Sequence, residues 1–251
     1  MKQRTLALHD DSSTKSLKSG KRELIIEGRG KNFYQSDKPD LIILEFKHKG
    51  ATNGEKETKE LSALRSKISS YLFKYLDGFH IPTHFVNKIS DTELLVKRLE
   101  TIPLFVRVYN LASGTLVKRF GLKDGTGLNF PVVEHYQKNG EGGSAWVNEY
   151  HIYAFGIATP EEFKQINRIA SKVNAVLRGL CDRRQLMLAD LQLEFGRYKG
   201  QVVLGDELSP LTCRFWDSSP DQKNAKIRSL QEQGDLLQLF TALSDRLELK
   251  V

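Results

Sequence analysis

The chain has 251 residues, 39% of them hydrophobic, and a formal net charge of +7, enough length to bury a large core as one α/β domain or as two lobes. It contains no run of eighteen apolar residues and opens on polar sequence, so neither a membrane span nor a secretory signal is expected. The basic residues are scattered rather than gathered into one aromatic-interleaved stripe, which argues against a nucleic-acid partner.

Residues 1–22 carry six Lys or Arg against two Asp among several Ser and Thr, and read as a basic tail unable to bury a core. Strand-like runs follow as LIIE, NFYQ and LIILEF, punctuated by Gly28, Gly30 and the Asp37–Asp40 turn. A helical period spans about Glu57 to Leu76, with Gly78 placed to end it, and two further strands are expected near Thr83–Asn87 and Glu93–Leu99. This β-rich unit, residues 23–102, is expected to close on a hinge near Thr101–Pro103. Residues 103–251 then form a second unit. It opens with a strand over Leu104–Leu111 and a short helix over Thr115–Phe120, stopped at Gly121. Gly140–Ser144 reads as a flexible loop. Thr159-Pro160-Glu161-Glu162 is a capping box with proline at the first helical position, and it starts the clearest helix of the chain, whose apolar face runs from Phe163 to Leu180. A last helix is expected over about Ala225–Leu247.

Between those two helices lies the stretch richest in chemistry, LMLADLQLEFGRYKGQVVLGDELSP, Leu186 to Pro210. Strand alternation puts Asp190, Gln192 and Glu194 on one face and Leu191, Leu193 and Phe195 on the other. A hairpin turn within Arg197–Gly200 returns the chain and brings Asp206 toward Glu194. Two carboxylates facing each other repel unless a divalent cation sits between them; the other reading is a solvated acidic face. No transition-metal site is expected, because Pro82 interrupts the helix that the His80 and His84 spacing would need. Cys181 and Cys213, the only cysteines, suit a reducing cytoplasm and make no CxxC motif.

Seven strings occur in family order along the chain: EGRGK (Glu27–Lys31), LVKRLETIP (Leu95–Pro103), ASGTLVKRFG (Ala112–Gly121), FPVVEHYQKN (Phe130–Asn139), VNEYHI (Val147–Ile152), LADLQLEFG (Leu188–Gly196) and GDELSPLTCRFWD (Gly205–Asp217). Together they resemble the phosphoribosylaminoimidazole-succinocarboxamide synthase, or SAICAR synthetase, family. The resemblance implies an α+β, two-lobed, ATP-grasp-like fold of antiparallel sheets with flanking helices, in which nucleotide lies between the lobes. It implies a cytoplasmic, ATP- and Mg2+-dependent ligase of purine biosynthesis, with room for a homo-oligomer. In that family ATP phosphorylates the carboxylate of carboxyaminoimidazole ribotide, and the amine of aspartate displaces the phosphate to form an amide. The partners implied are therefore a small-molecule carboxylate and an amino acid.

By motif, Glu194 and Asp206 match the metal-binding acids, and Gly28, Arg29, Gly30 and Lys31 match the phosphate loop. Lys97 is carried over as a further nucleotide-binding residue and Asp190 as the acid of the substrate side; Lys31 and Asp190 are the expected catalytic pair. Thr115 and Arg214 match ribotide-phosphate contacts. Several positions depart from the family pattern. The phosphate loop reads Gly-Arg-Gly-Lys, His48 and Lys49 stand where paired acids are usual, and Arg65-Ser66-Lys67 replaces Asn-Asn-Lys. Tyr109 stands in place of an arginine and Gln192 in place of a lysine, removing two cations from the substrate half. Arg107, two residues before Tyr109 and on the same strand face, is the preferred substitute, so Arg107 and Tyr109 join the expected substrate-binding set. The residues leave three readings open: a divergent SAICAR synthetase, a paralogous amide ligase acting on another carboxylate or amine, and a nucleotide-binding pseudoenzyme.

Overall fold

The computed structural model describes residues 22–28, 30–47, 51–52, 55–56, 58–139, 143–218 and 226–249. The basic tail therefore lies, apart from Arg22, outside the described residues.

A first sheet is antiparallel throughout, in the order β1-β2-β3-β7-β6. Its strands are β1 (Leu24–Glu27), β2 (Lys31–Gln35), β3 (Leu41–Phe46), β6 (Phe85–Lys88) and β7 (Glu93–Lys97). Between β3 and β6 come a two-residue pair, β4 (Ala51–Thr52) with β5 (Glu55–Lys56), and helix α1 (Lys59–Asp77). The Thr58 side chain accepts from the Leu61 amide to start α1, and Gly78 ends it. Leu44, Phe46, Leu94 and Val96 form the small apolar core of this sheet. Helix α1 also turns Ile68, Leu72 and Leu76 into the larger core of the second half.

The second sheet runs β10-β9-β8-β11-β12, with β13 also pairing on β11. It is built from β8 (Glu100–Leu111), β9 (Gly127–Lys138), β10 (Ser144–Val147), β11 (Leu186–Tyr198), β12 (Gln201–Gly205) and β13 (Cys213–Asp217). On its apolar face lies helix α4 (Pro160–Arg183), started by the expected capping box and burying Phe163, Ile166, Val173 and Leu177 against Val106, Val108, Leu191 and Leu193. Short helices α2 (Gly114–Phe120) and α3 (Glu149–Ala154) follow β8 and β10.

Three expectations are corrected. Thr101–Pro103, read as a connection between units, is part of β8; the pairing of β8 with β11 shifts register there, and Pro103, which has no N–H to give, sits in that irregularity. The terminal helix is two, α5 (Lys226–Gln233) and α6 (Leu236–Arg246), because Gly234 adopts φ of 80° and Asp235 then caps a fresh helix by accepting from the Gln238 amide. Ser144 begins β10, and the rest of the expected loop falls mainly outside the described residues.

Long strand β11 serves two partners on one edge. β13 pairs with Leu186–Leu191 and β12 with Glu194–Tyr198, leaving a gap at Gln192 where the Thr212 carbonyl accepts from the Gln192 amide. The β12–β13 connection, Asp206–Thr212, emerges at that gap. The β11–β12 hairpin closes on Lys199 and Gly200, both at positive φ, a tight two-residue turn. Gly196 and Gly205 let the hairpin press on Leu99, where any Cβ would come within 2.8 and 2.9 Å of its side chain.

The two halves are tied by buried charge. Glu207, 3% exposed, takes a two-pronged bond from Arg65 of α1, Nε to Oε1 at 3.1 Å and Nη2 to Oε2 at 2.7 Å, and a third from the Ser209 hydroxyl at 2.7 Å. Burial pushes the Glu207 carboxyl up, but Arg65 and Lys31 outweigh it and hold the pKa down at about 2. A carboxylate lowered in the folded state stabilises it above the unfolded pKa of 4.5 and loses that contribution as pH falls toward 2. The shift corresponds to about 3 kcal/mol at neutral pH. Glu207→Gln is expected to be less stable at pH 7 and to show a flatter stability curve between pH 4.5 and 2 in denaturant titrations; parallel curves for the two proteins would contradict this role.

Candidate active site

Cross-strand register gathers the polar face of the second sheet into one strip. Asp190 pairs with Tyr109, Gln192 with Arg107 and Glu194 with Phe105; on the next strand Arg107 faces Glu134 and Phe105 faces Tyr136. On the other side Asp190 faces Arg214. Directly opposed residues share a face, so acids, guanidiniums and aromatics of four strands line one surface while their neighbours fill the core.

At one end of the strip stand Glu194 and Asp206. Asp206 ends the hairpin at φ of 59°, a left-handed conformation that aspartate tolerates better than most side chains. Its carboxylate pairs with Lys31 of β2, whose ammonium also lies 3.5 Å from Glu207. Burial would lower Lys31, yet Asp206 and Glu207 together raise it above the ordinary lysine value, so it stays charged. Glu194 pairs with Lys138 of β9. Burial and the charge of Asp206 push Glu194 up against the pull of Lys138, which puts the two carboxylates within electrostatic reach of each other. Two hard oxygen acids that repel in this way fit a magnesium ion, which is commonly held by one or two carboxylates together with substrate phosphate. Among the described residues no cluster of three or more His, Cys, Asp or Glu forms a ready-made cage.

At the other end is Asp190, 2% exposed. It accepts from the Ser113 hydroxyl at 2.5 Å and from Arg214 Nη1 at 2.9 Å. Arg107 lies alongside, donating from Nη2 to Gln192 Oε1 at 3.2 Å. Arg214 does not pair with Asp217, which instead serves Arg246 and the amide of Ile227. Tyr109 is fully buried and shares a 2.8 Å hydrogen bond with Thr115, so these two expected substrate residues engage each other. Arg119 is taken up by Glu134 and the Tyr136 hydroxyl.

The expected residues thus fall into place unevenly. Lys31, Glu194 and Asp206 converge, and so do Arg107, Asp190 and Arg214. Lys97 turns elsewhere: its ammonium donates to the Thr83 carbonyl at 2.8 Å and lies over the Tyr198 ring. Gly28 closes the β1–β2 hairpin through its amide to the Lys31 carbonyl at 2.8 Å, and the Gly30 carbonyl accepts from Arg65 and from the Lys47 amide. Arg29, His48 and Lys49 lie outside the described residues. Reading the sequence missed Glu207, Lys138, Ser113 and the use made of Arg65. Lys138 was accessible, since strand parity puts it on the face of Tyr136 and Glu134, whereas the pairing of Glu207 with a residue 142 positions away leaves no local mark.

A family model described as SAICAR synthetase matches residues 24–233. The chain belongs to the SAICAR synthetase family. The family consists of ATP-dependent ligases of purine biosynthesis. The chain is 40% identical over 233 residues to the phosphoribosylaminoimidazole-succinocarboxamide synthase of Persephonella marina, covering 92% of this chain and 98% of that protein. It is 40% identical over 230 residues to that of Pseudomonas aeruginosa, covering 90% and 98%. Among solved structures it resembles the Ehrlichia chaffeensis synthase with a TM-score of 0.81 and 34% identity, over 91% of this chain and 100% of that one. A SAICAR synthetase in complex with ADP gives 0.80 and 37%, over 90% and 97%. The expected fold class is therefore the observed one. No helix among the described residues is long and apolar enough to cross a membrane, and Cys181 and Cys213 are free and buried.

Gly114 sets the position of Arg214. At φ of 53° it occupies the left-handed region, and any Cβ there would lie 2.4 Å from Arg214 Nη1. Gly114→Ala is expected to push the guanidinium off Asp190, raising the Michaelis constant for the anionic substrate about tenfold or more while nucleotide affinity holds. An unchanged constant would remove Arg214 from the substrate site.

Proposed function

We propose that this SAICAR synthetase joins the carboxylate of carboxyaminoimidazole ribotide to the amine of aspartate, with ATP converted to ADP and phosphate. The observation that carries the reading is the convergence of Lys31, Lys138, Glu194 and Asp206 at one end of a strip whose other end holds Arg107 and Arg214. The nucleotide phosphates meet cations and metal-ready acids at the first end, and an anionic substrate is anchored at the second.

In the first step a carboxylate oxygen of the ribotide attacks the γ-phosphorus of ATP; the bond to the β-γ bridging oxygen breaks and ADP leaves. Lys31 stays protonated beside Asp206 and Glu207, so it meets the transferring phosphoryl group with full positive charge and needs no proton from elsewhere. Lys138, swinging from Glu194, supplies a second positive charge. Glu194 and Asp206 would hold Mg2+, which when bound supplies charge neutralisation of the phosphoryl oxygens. Arg107 and Arg214 fix the far end of the ribotide, with Asp190 holding Arg214 in line and positioning the substrate, which turns the encounter into an oriented one. The aspartate amine then adds to the acyl carbon, phosphate departs with the former carboxylate oxygen, and the amide forms as the nitrogen loses its proton. Arg29, Gly30 and Gly28 complete the phosphate loop in this reading. The setting is cytoplasmic.

ADP release should require magnesium, the ribotide and aspartate together. Glu194→Gln, Asp206→Asn and Lys31→Met should each lower it by about two orders of magnitude or more, with little change in thermal midpoint for Asp206→Asn, since asparagine tolerates the left-handed backbone. Release of ADP at the ordinary rate from any of the three would break the assignment of that residue, and turnover without aspartate would break the reaction.

A further inference from the structure

Helix α1 and the edge strand β6 border a cavity of about 790 Å³ that none of Lys31, Arg107, Glu194, Asp206 and Arg214 lines. Its size is that of a small-molecule site. β6 offers only four residues of edge, and Leu249, whose carbonyl accepts from Lys67 at 2.9 Å, bounds the space, so a compact ligand fits it better than an added strand. Four ammonium groups line it, those of Lys67, Lys74, Lys88 and Lys97, against the carboxylates of Asp77 and Glu248. Glu248 is already paired with Arg184, and Lys88 is met only loosely by the exposed Asp91, at 3.6 Å. Lys74 has no side-chain partner among the described residues. The lining is therefore cationic and calls for an anion. Between the charges lie two aromatic rings, each backed by another: Phe85 stacks on Phe73 at 6.1 Å, and Tyr71 on Tyr75 at 6.3 Å. Rings held in place this way suit a planar group. A nucleoside phosphate carries both parts, and the two loosely engaged ammonium groups, Lys74 and Lys88, match a single phosphate dianion.

The same wall is tied to the hairpin that ends in Asp206. Lys97 donates to the Thr83 carbonyl at 2.8 Å. Thr83 pairs with Leu204, the His84 amide donates to the Leu204 carbonyl at 2.8 Å, and the Leu204 amide donates to the Pro82 carbonyl at 2.9 Å. Leu204 lies two residues before Asp206. A phosphate oxygen that draws Lys97 from a neutral carbonyl gains a charge-assisted bond, and it leaves the carbonyl of Thr83, a residue only 6% exposed, without that donor. The segment that seats β12 is loosened, and Asp206 with it.

We propose that this cavity is an effector site for a nucleoside monophosphate, with Lys74 and Lys88 on the phosphate and Tyr71 and Phe85 against the base, and that filling it lowers turnover. The binding stands apart from the proposed reaction; its effect on turnover rests on the reading that Asp206 holds the metal. AMP is the probe. With the catalytic site saturated by Mg-ATP, AMP should bind in calorimetry, and in the complete reaction it should lower kcat about threefold or more without raising the Michaelis constant of ATP. Lys74→Gln and Lys88→Gln should each weaken AMP about tenfold in both assays while the rate without AMP stays within about twofold. Inorganic phosphate, which lacks the ring, should bind at least about tenfold more weakly than AMP.

Equal affinity for phosphate and AMP would reduce the cavity to an anion patch and overturn the inference. Displacement of AMP by Mg-ATP, with inhibition untouched by either lysine variant, would put AMP at the catalytic nucleotide site and overturn it as well. Lysine-dependent binding that leaves the rate unchanged would remove the effector role. If the ribotide and aspartate support no ADP release, the proposed function fails, and the AMP titrations of wild type and the two variants still decide whether the cavity binds a nucleotide.

Discussion

The structure hangs on one buried carboxylate. Glu207 sits where the β12–β13 connection crosses the gap in β11, and it is met there by Arg65 from α1 and Lys31 from β2. Each partner comes from a different part of the chain, so this single anion fixes the first sheet, the long helix and the β11–β12 hairpin relative to one another. Removing two charges from water is costly, and an ion pair of this kind gains little over an apolar substitute unless every lone pair and proton is used. Here most of them are: Glu207 accepts twice from Arg65 and once from Ser209 with the Lys31 ammonium 3.5 Å away, Arg65 reaches on to the Gly30 carbonyl, and its guanidinium lies over the Phe46 ring. The return is positional: Lys31 cannot wander, and it carries its charge to Asp206.

From that anchor the site follows by parity. Asp206 leaves the hairpin one residue before Glu207, so its place beside Lys31 is set by the same ion knot, and its left-handed backbone aims it back toward Glu194. Glu194 is in turn fixed by a strand held on both edges, by β8 along one side and β12 along the other. In the ligand-free protein each candidate metal acid has a lysine. Nucleotide phosphates and a divalent cation would exchange those partners rather than build a site from nothing, with Lys31 and Lys138 turning from carboxylate to phosphate oxygen.

Much of this arrangement is legible along the sequence because it is local. Alternation in β11, the Lys199-Gly200 turn and the Thr159 to Glu162 capping box all lie within a few residues, and they carry the hairpin and helix α4 directly. Alternation also gives the right face to Asp190, Gln192, Glu194 and Arg107. What escapes is either long-range or masked by a continuing period. The apolar spacing from Leu230 through Leu239 and Leu243 runs on past Gly234, so the break between α5 and α6 is invisible until the backbone is seen. Strand β13 finds its edge only because β12 stops short at Gly205. Lys97, carried over by its motif, has its side chain held by the Thr83 carbonyl and the Tyr198 ring, a partnership that no local pattern marks.

The substrate half shows how a strand absorbs a lost cation. Replacing an arginine by Tyr109 removes charge at a position that is now wholly buried, and the new hydroxyl is satisfied by Thr115. Arg107 is two residues away and therefore on the same face, so moving the charge along β8 keeps it on the strip while shifting its origin by roughly 7 Å. Gln192, standing opposite Arg107, accepts from it where a lysine would repel it. Arg107 and the neutral acceptor at 192 thus engage each other directly across the two strands.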